Sequence, residues 1–496
     1  MCKCDPRWAR WLLLAALGGS VECQAPTTPV AASPQRPTQL ASAEPWRAAV
    51  PPPGERGTLV YPTPQVRELD NGMSLVVVQQ PTRVVSLAVV SHQGASGVEA
   101  GKSGTAALAA RMLTEGSLRR SAEQMALAAD ELGTQLFSSA GRDYATVGLT
   151  VLREDLEPAL ELLAEVVTEP AFSDTEVKRV RGEWIDGLVA ERQDPQRLAT
   201  LAALRLVAGP VHGAPVRGGI PDVEGLTSAD LRDFYRQSFT PANLAVLAVG
   251  DVNADDLSRR IDAHFAAWRP PPPNASTVTP LPEPPVRRRI VLVDRPDAVQ
   301  SALAVIQPFP SRSTPGYEAR EVLNAVLGGL FTSRLNENLR ERLAITYGAA
   351  STAIATRHWG ALLIATTVEA KATQQAIEEI VAEVAALSTG TKPVSEAELE
   401  RARAALIHEH AAGLESTGAI VNDTSVVFIN DLGWDYLSRF PSLVDGVTAE
   451  AVTAEARERL HPDQLTVVVV GPRGQIESGL RTGEQTVETA HPALLE

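Results

Sequence analysis

The stretch that decides the fold is "SLVVVQQPTRVVSLAVVSHQG", residues 74–94. An apolar run rich in β-branched residues is followed by a proline-containing turn and a second apolar run. That pattern predicts two strands, paired as a hairpin or as neighbours. Residues 289–309, "RIVLVDRPDAVQSALAVIQPF", repeat the same arrangement. A second landmark recurs in the same order: "FTPANLAVLAVGDV" (239–252) matches "LHPDQLTVVVVGPR" (460–473), each a proline, polar residues, a buried strand and a glycine. A period of roughly 200 residues means a duplicated domain, because solenoid repeats are far shorter.

Between these landmarks the apolar period becomes helical. "SAEQMALAADELG" (121–133) opens on a serine cap and closes on glycine. "REDLEPALELLAEVVTEPAF" stops near Pro170, and "SDTEVKRVRGEWIDGLVAERQDP" (173–195) is expected to end at Pro195. "TSADLRDFYRQSF" (227–239), "TQQAIEEIVAEVAALSTG" and "SEAELERARAALIHEHAAG" read likewise. The expected fold class is α+β: two homologous domains, each a mainly antiparallel sheet covered by helices on one face.

Composition sets the boundaries. The chain's 496 residues exceed what one core supports. Arg7 and Arg10 precede "WLLLAALGG", which reads as an export signal over residues 1–25. "CQA" ending at Ala25 suits cleavage, and Cys23 is the alternative, lipidated, first residue. Residues 26–57 form a proline-rich linker. The two domains then span 58–268 and 289–478, with a second proline-rich linker at 269–288 and a tail at 479–496. The expected location is outside the cytoplasm: the periplasm, or the outer membrane if Cys23 is lipidated. All three cysteines lie in the first 23 residues, so the body contains no disulfide and no cysteine-based zinc site. A net charge of −15 lacks the basic footprint of a general nucleic-acid binder.

The landmarks, together with "LGGLFTSRLNENLRERLAITYG" (327–348), resemble the pitrilysin/insulinase-type metallopeptidases, or inverzincins. The resemblance runs over residues 58–478. It implies a zinc site on an H-x-x-E-H helix of the first half: positions i and i+4 share a helix face and bind the metal, and the carboxylate at i+3 activates water. Laid on that pattern, "GTAALAARML" places Ala107 and Arg111 at the histidine positions and Ala110 at the general base. Glu183, 76 residues after Ala107, matches the third ligand. Alanine has no ligand atom and a guanidinium stays protonated. These four are vestigial metal-site positions, and the chain itself is expected to hold no cofactor. Arg111 is expected to face Glu183 and replace the lost cation. The two histidines of "HEH" (408–410) fall on nearly opposite helix faces and do not suit a metal; His92, His212, His264, His358, His461 and His491 are isolated.

In the second half the resemblance implies that Arg340 and Tyr347 face the scissile bond; a tyrosine hydroxyl can donate to the developing oxyanion, and an arginine can hold peptide carbonyls or an acidic group. Ala344 and Ile345 stand where the family usually has a glycine and an aromatic residue or leucine. Gly328 and Gly329 are candidate substrate contacts through backbone approach. The reading is a zinc-less subunit of an exported peptidase. It is inactive alone and completes in trans the site of a homologous H-x-x-E-H partner that carries zinc and takes unfolded or extended peptides. The alternatives are a non-catalytic peptide-binding or scaffold protein of the cell envelope and, third, a zinc enzyme with an unfamiliar ligand set.

Overall fold

The computed structural model describes residues 59–270, 280–481 and 486–490, all within one compact unit, Leu59–Glu496. The export signal, residues 26–57, Cys23 and part of the second linker lie outside the described residues. No described helix is long and apolar enough to cross a membrane.

Among the described residues, twelve strands build two six-stranded sheets: β1 Gln65–Glu68, β2 Ser74–Gln79, β3 Val84–Ser91, β4 Phe137–Ala140, β5 Ala145–Leu152 and β6 Leu244–Gly250, then β7 Arg289–Asp294, β8 Gln300–Phe309, β9 Thr346–Ala355, β10 Gly360–Glu369, β11 Thr466–Gly471 and β12 Thr486–Ala490. The orders are β1-β2-β6-β3-β5-β4 and β12-β7-β11-β8-β10-β9. The duplication is therefore real, and the strands predicted from residues 74–94 exist. They are not neighbours, however. β6 inserts between β2 and β3, parallel to the first and antiparallel to the second. β11 does the same between β7 and β8. The reason is burial: β6 reads LAVLAVG and β11 reads TVVVVG, both buried throughout, and an all-apolar strand belongs in the middle of a sheet. The tail is also corrected, since β12 extends the second sheet parallel to β7.

The expectation of helices on one face only is overturned. The inner face of each sheet carries its own half's helices, with Leu108, Met112, Leu160 and Leu163 packed on the first sheet. The outer face is covered by a helix from the other half. Helix Pro195–His212 lays Leu198, Ala202, Ala203 and Val207 against β7, β8, β10 and β11. Helix Thr417–Ile429 lays Ile420, Val421 and Val427 against β2, β3 and β6. Burying each large aliphatic side chain contributes about 1.5–3 kcal/mol, so neither sheet is complete without the other half. Helix Pro195–His212 also explains a second misreading: the preceding helix ends at Glu191, and Pro195 opens a new helix at its first turn under the Asp194 cap.

An arginine from a β-hairpin turn binds the chain at the end of each exchanged helix range. Arg142, between β4 and β5, donates to the His212 and Ala214 carbonyls and lies 5.0 Å over the Trp359 ring. Arg357, between β9 and β10, donates to the Ile429 carbonyl at 3.0 Å, and its own N–H donates to Asp143 at 2.7 Å. Helix Pro195–His212 breaks at Gly209, whose φ is +77°, so Arg142 holds the turn beyond the break, whereas Arg357 meets an orphan carbonyl at the C-terminus of helix Thr417–Ile429 and complements its dipole.

Candidate functional site

The metal-site helix, Thr105–Met112, starts at Gly104, whose φ is +92°. A Cβ there would stand 2.8 Å from the Arg217 carbonyl, so the tight entry requires glycine. Leu108, Ala109 and Met112 face the core. Ala107 and Ala110 are both buried and offer no donor atom.

Arg111 does not pair with Glu183. Its guanidinium binds Glu115, four residues on, and donates to Thr114 Oγ1 at 2.7 Å. Glu115 also receives Arg179 from helix Asp174–Glu191. Arg179 in turn binds Glu183 and Glu176, each at 2.8 Å. The result is a chain, Arg111–Glu115–Arg179–Glu183, linking the two helices. The carboxylates around Arg179, Glu176 foremost, raise its pKa further. The predicted direct pair fails because each partner has a nearer mate at helical i,i+4 spacing. Both mates were visible in the sequence: Glu115 is four after Arg111 and Arg179 four before Glu183. Zinc, which the fold family implies, does not fit here: of the ligand positions only Glu183 carries a donor, and an arginine occupies it. Among the described residues no three His, Cys, Asp or Glu side chains gather as a metal site. His410 sits between Tyr61 and Phe440, with Nε2 2.8 Å from the Leu437 carbonyl.

The second-half element is built differently. Arg340 lies on a wide π-helical segment, Asn336–Arg342, and Tyr347 on β9, which among the described residues is an edge strand paired with β10. Between them Ala344 has φ +53°. The alanine adopts, at some cost, the left-handed conformation that glycine takes without strain. Register then slips by one residue: Ala349 opposes Thr366, but Thr346 opposes Val368. This bulge is pinned by Thr346 Oγ1, which accepts the Gly348 N–H at 3.1 Å and lies 2.9 Å from Thr366 Oγ1 and the Thr367 carbonyl. Bulges re-aim side chains, and Tyr347 emerges 95% exposed.

The structure brings Arg340 to Phe331, its guanidinium 4.1 Å from the ring centre. No hydrogen bond joins Arg340 to Tyr347. Asn336, which the sequence reading missed, ties the pieces together: its amide donates to the Leu330 carbonyl at 3.2 Å and its oxygen accepts the Ala349 N–H at 3.0 Å. Gly328 requires correction as a peptide contact. It is buried, and a Cβ would come 2.6 Å from Ser351 N, so it is glycine to let the helical segment Ala325–Gly329 close on β9. Gly329 is exposed.

Comparison with known proteins agrees with this architecture. Residues 75–204 match the family model described as Insulinase (Peptidase family M16), and residues 225–406 match that described as Peptidase M16 inactive domain. The chain belongs to the insulinase family, M16. It is 25% identical over 423 residues to an uncharacterized zinc protease of Streptomyces coelicolor, covering 82% of this chain and 88% of that one. It is also 25% identical over 245 residues to a probable inactive metalloprotease of Bacillus subtilis, covering 47% of this chain and 56% of that protein. A crystal structure of a peptidase M16 inactive domain from Pseudomonas fluorescens superposes with a TM-score of 0.76 at 25% identity, covering 82% of this chain and 98% of that one.

Proposed function

We propose that this chain is a zinc-less subunit of an exported insulinase-family peptidase. It does not cleave peptides by itself. It supplies Arg340, Tyr347 and chamber surface to a homologous partner that carries H-x-x-E-H and its zinc, and the complex takes unfolded or extended peptides. The observation that carries this reading is an asymmetry between halves. The first half has Ala107, Ala110 and Arg111 where ligands and base belong, with Glu183 committed to Arg179. The second half keeps its arginine and a tyrosine held out by a bulge at 95% exposure. An exposed tyrosine on an edge strand has no packing role, whereas a donor aimed away from its own fold suits a site completed by another chain. Export rests on the Arg7/Arg10 and "WLLLAALGG" leader, with outer-membrane anchoring if Cys23 carries lipid.

The test is reconstitution with an H-x-x-E-H chain encoded beside this one. Turnover that needs both chains, and that Arg340→Ala or Tyr347→Phe removes while assembly persists, supports the reading. Unchanged turnover in those variants refutes it and leaves the peptide-binding or scaffold role. Chelator-sensitive cleavage by this chain alone refutes both.

A further inference from the structure

The geometry points to Phe331 as a positioning residue for Arg340, an inference that rests on the proposed function. Phe331 is 70% exposed on the turn after the segment Ala325–Gly329, so the core does not require it. Its ring lies 4.1 Å from the Arg340 guanidinium, well within the range at which the ring face attracts a cation.

The state of Arg340 shows what the ring is for. The neighbouring Arg342 has acceptors within its own fold, one guanidinium nitrogen donating to Asn338 Oδ1 and to Glu379 at 2.9 Å. Arg334 is buried and makes two bonds to Glu398 and two to the Lys392 and Pro393 carbonyls. Arg340, by contrast, makes no side-chain hydrogen bond among the described residues and has one loose ion pair, 3.4 Å to Glu341. It is held by a ring face rather than by acceptors. Stacking fixes the plane of a guanidinium and leaves its edge N–H donors unspent. A planar donor edge with no internal partner suits the carbonyls or carboxylate of an extended peptide. Asn336 keeps the platform in register with Tyr347, since the same amide contacts the carbonyl next to Phe331 and the β9 backbone two residues past Tyr347.

The experiment is a double-mutant cycle on the reconstituted complex with β-casein, an unfolded polypeptide, as substrate. Phe331→Leu keeps an apolar side chain but removes the ring. It is expected to lower kcat/KM by about two- to fivefold, the range of an exposed cation–π contact. Phe331→Tyr is expected to restore it, and thermal stability to stay unchanged in both. In the Arg340→Ala background, Phe331→Leu is expected to have no further effect. If Phe331→Leu is silent while Arg340→Ala is damaging, or if the two losses multiply, Phe331 does not act through Arg340 and the inference fails while the proposed function stands. If Arg340→Ala is itself silent, both fail.

Discussion

Replacing Ala344 with glycine tests whether the loop between the Arg340 segment and β9 has the conformation described. Ala344 sits at φ +53°. Placing a Cβ in the left-handed region costs roughly 1–2 kcal/mol, because it crowds the following carbonyl oxygen. Glycine removes that strain but makes the unfolded chain more flexible, which returns about 0.4–1 kcal/mol. The net expectation is stabilisation by about 0.5–1 kcal/mol. The flanking bonds, Leu343 N–H to the Asn338 carbonyl and Ile345 N–H to the Leu339 carbonyl, both 3.0 Å, remain available in the variant. Urea titration followed by circular dichroism reads the effect as a higher midpoint with unchanged slope. Ala344→Val is the opposing control. A β-branched residue at this φ is expected to destabilise by more than the alanine does. A glycine variant less stable than the parent, or a valine variant equal to it, would show that the loop is not left-handed at Ala344.

Three further outcomes follow from the same physics. Glu115→Gln leaves Arg111 and Arg179 facing each other without their shared carboxylate and is expected to cost about 1–2 kcal/mol, since both arginines stay partly solvated; adding Arg111→Ala should recover part of that loss in the urea midpoint. Glu398 governs an acid limb: burial raises its pKa, but the Arg334 hydrogen bond and the Ser395 cap more than reverse this and hold it at about 2. A depressed acid pKa contributes stability above the unfolded value near 4.5 that is lost as pH falls toward 2, so the parent should lose about 3 kcal/mol over that window relative to Glu398→Gln in acid unfolding. Because each half lends a helix to the other's sheet, calorimetry should give one transition for residues 59–481, and Ala203→Asp, set between helix Pro195–His212 and the second sheet, should lower it as a whole rather than split it.

The duplication and most helices were legible because they rest on local signals: apolar period, serine caps and proline stops. What escaped the sequence was everything that depends on which surfaces meet. Nothing in "SLVVVQQ" says that β6, some 170 residues later, will pair with it. Nothing in "PQRLATLAALRLVAG" says that its apolar side belongs to the other half's sheet. The site divided the same way. The missing ligands were plain from residue identity. Arg111 takes its i,i+4 neighbour Glu115 and not the distant Glu183, because local helical spacing outweighs the tertiary pair that the family pattern implies. Tyr347's exposure depends on a bulge that Thr346 pins, and the contact of Arg340 with the Phe331 ring is tertiary, so no local signal announces it.

The central claim is that the positions around Ala107 and Arg111 cannot hold a catalytic metal. Elemental analysis of the purified chain after growth with zinc, paired with a casein cleavage assay, tests it most directly. The account predicts far less than stoichiometric zinc and no cleavage that a chelator suppresses. Stoichiometric zinc that is lost, together with activity, on Glu183→Ala would contradict it.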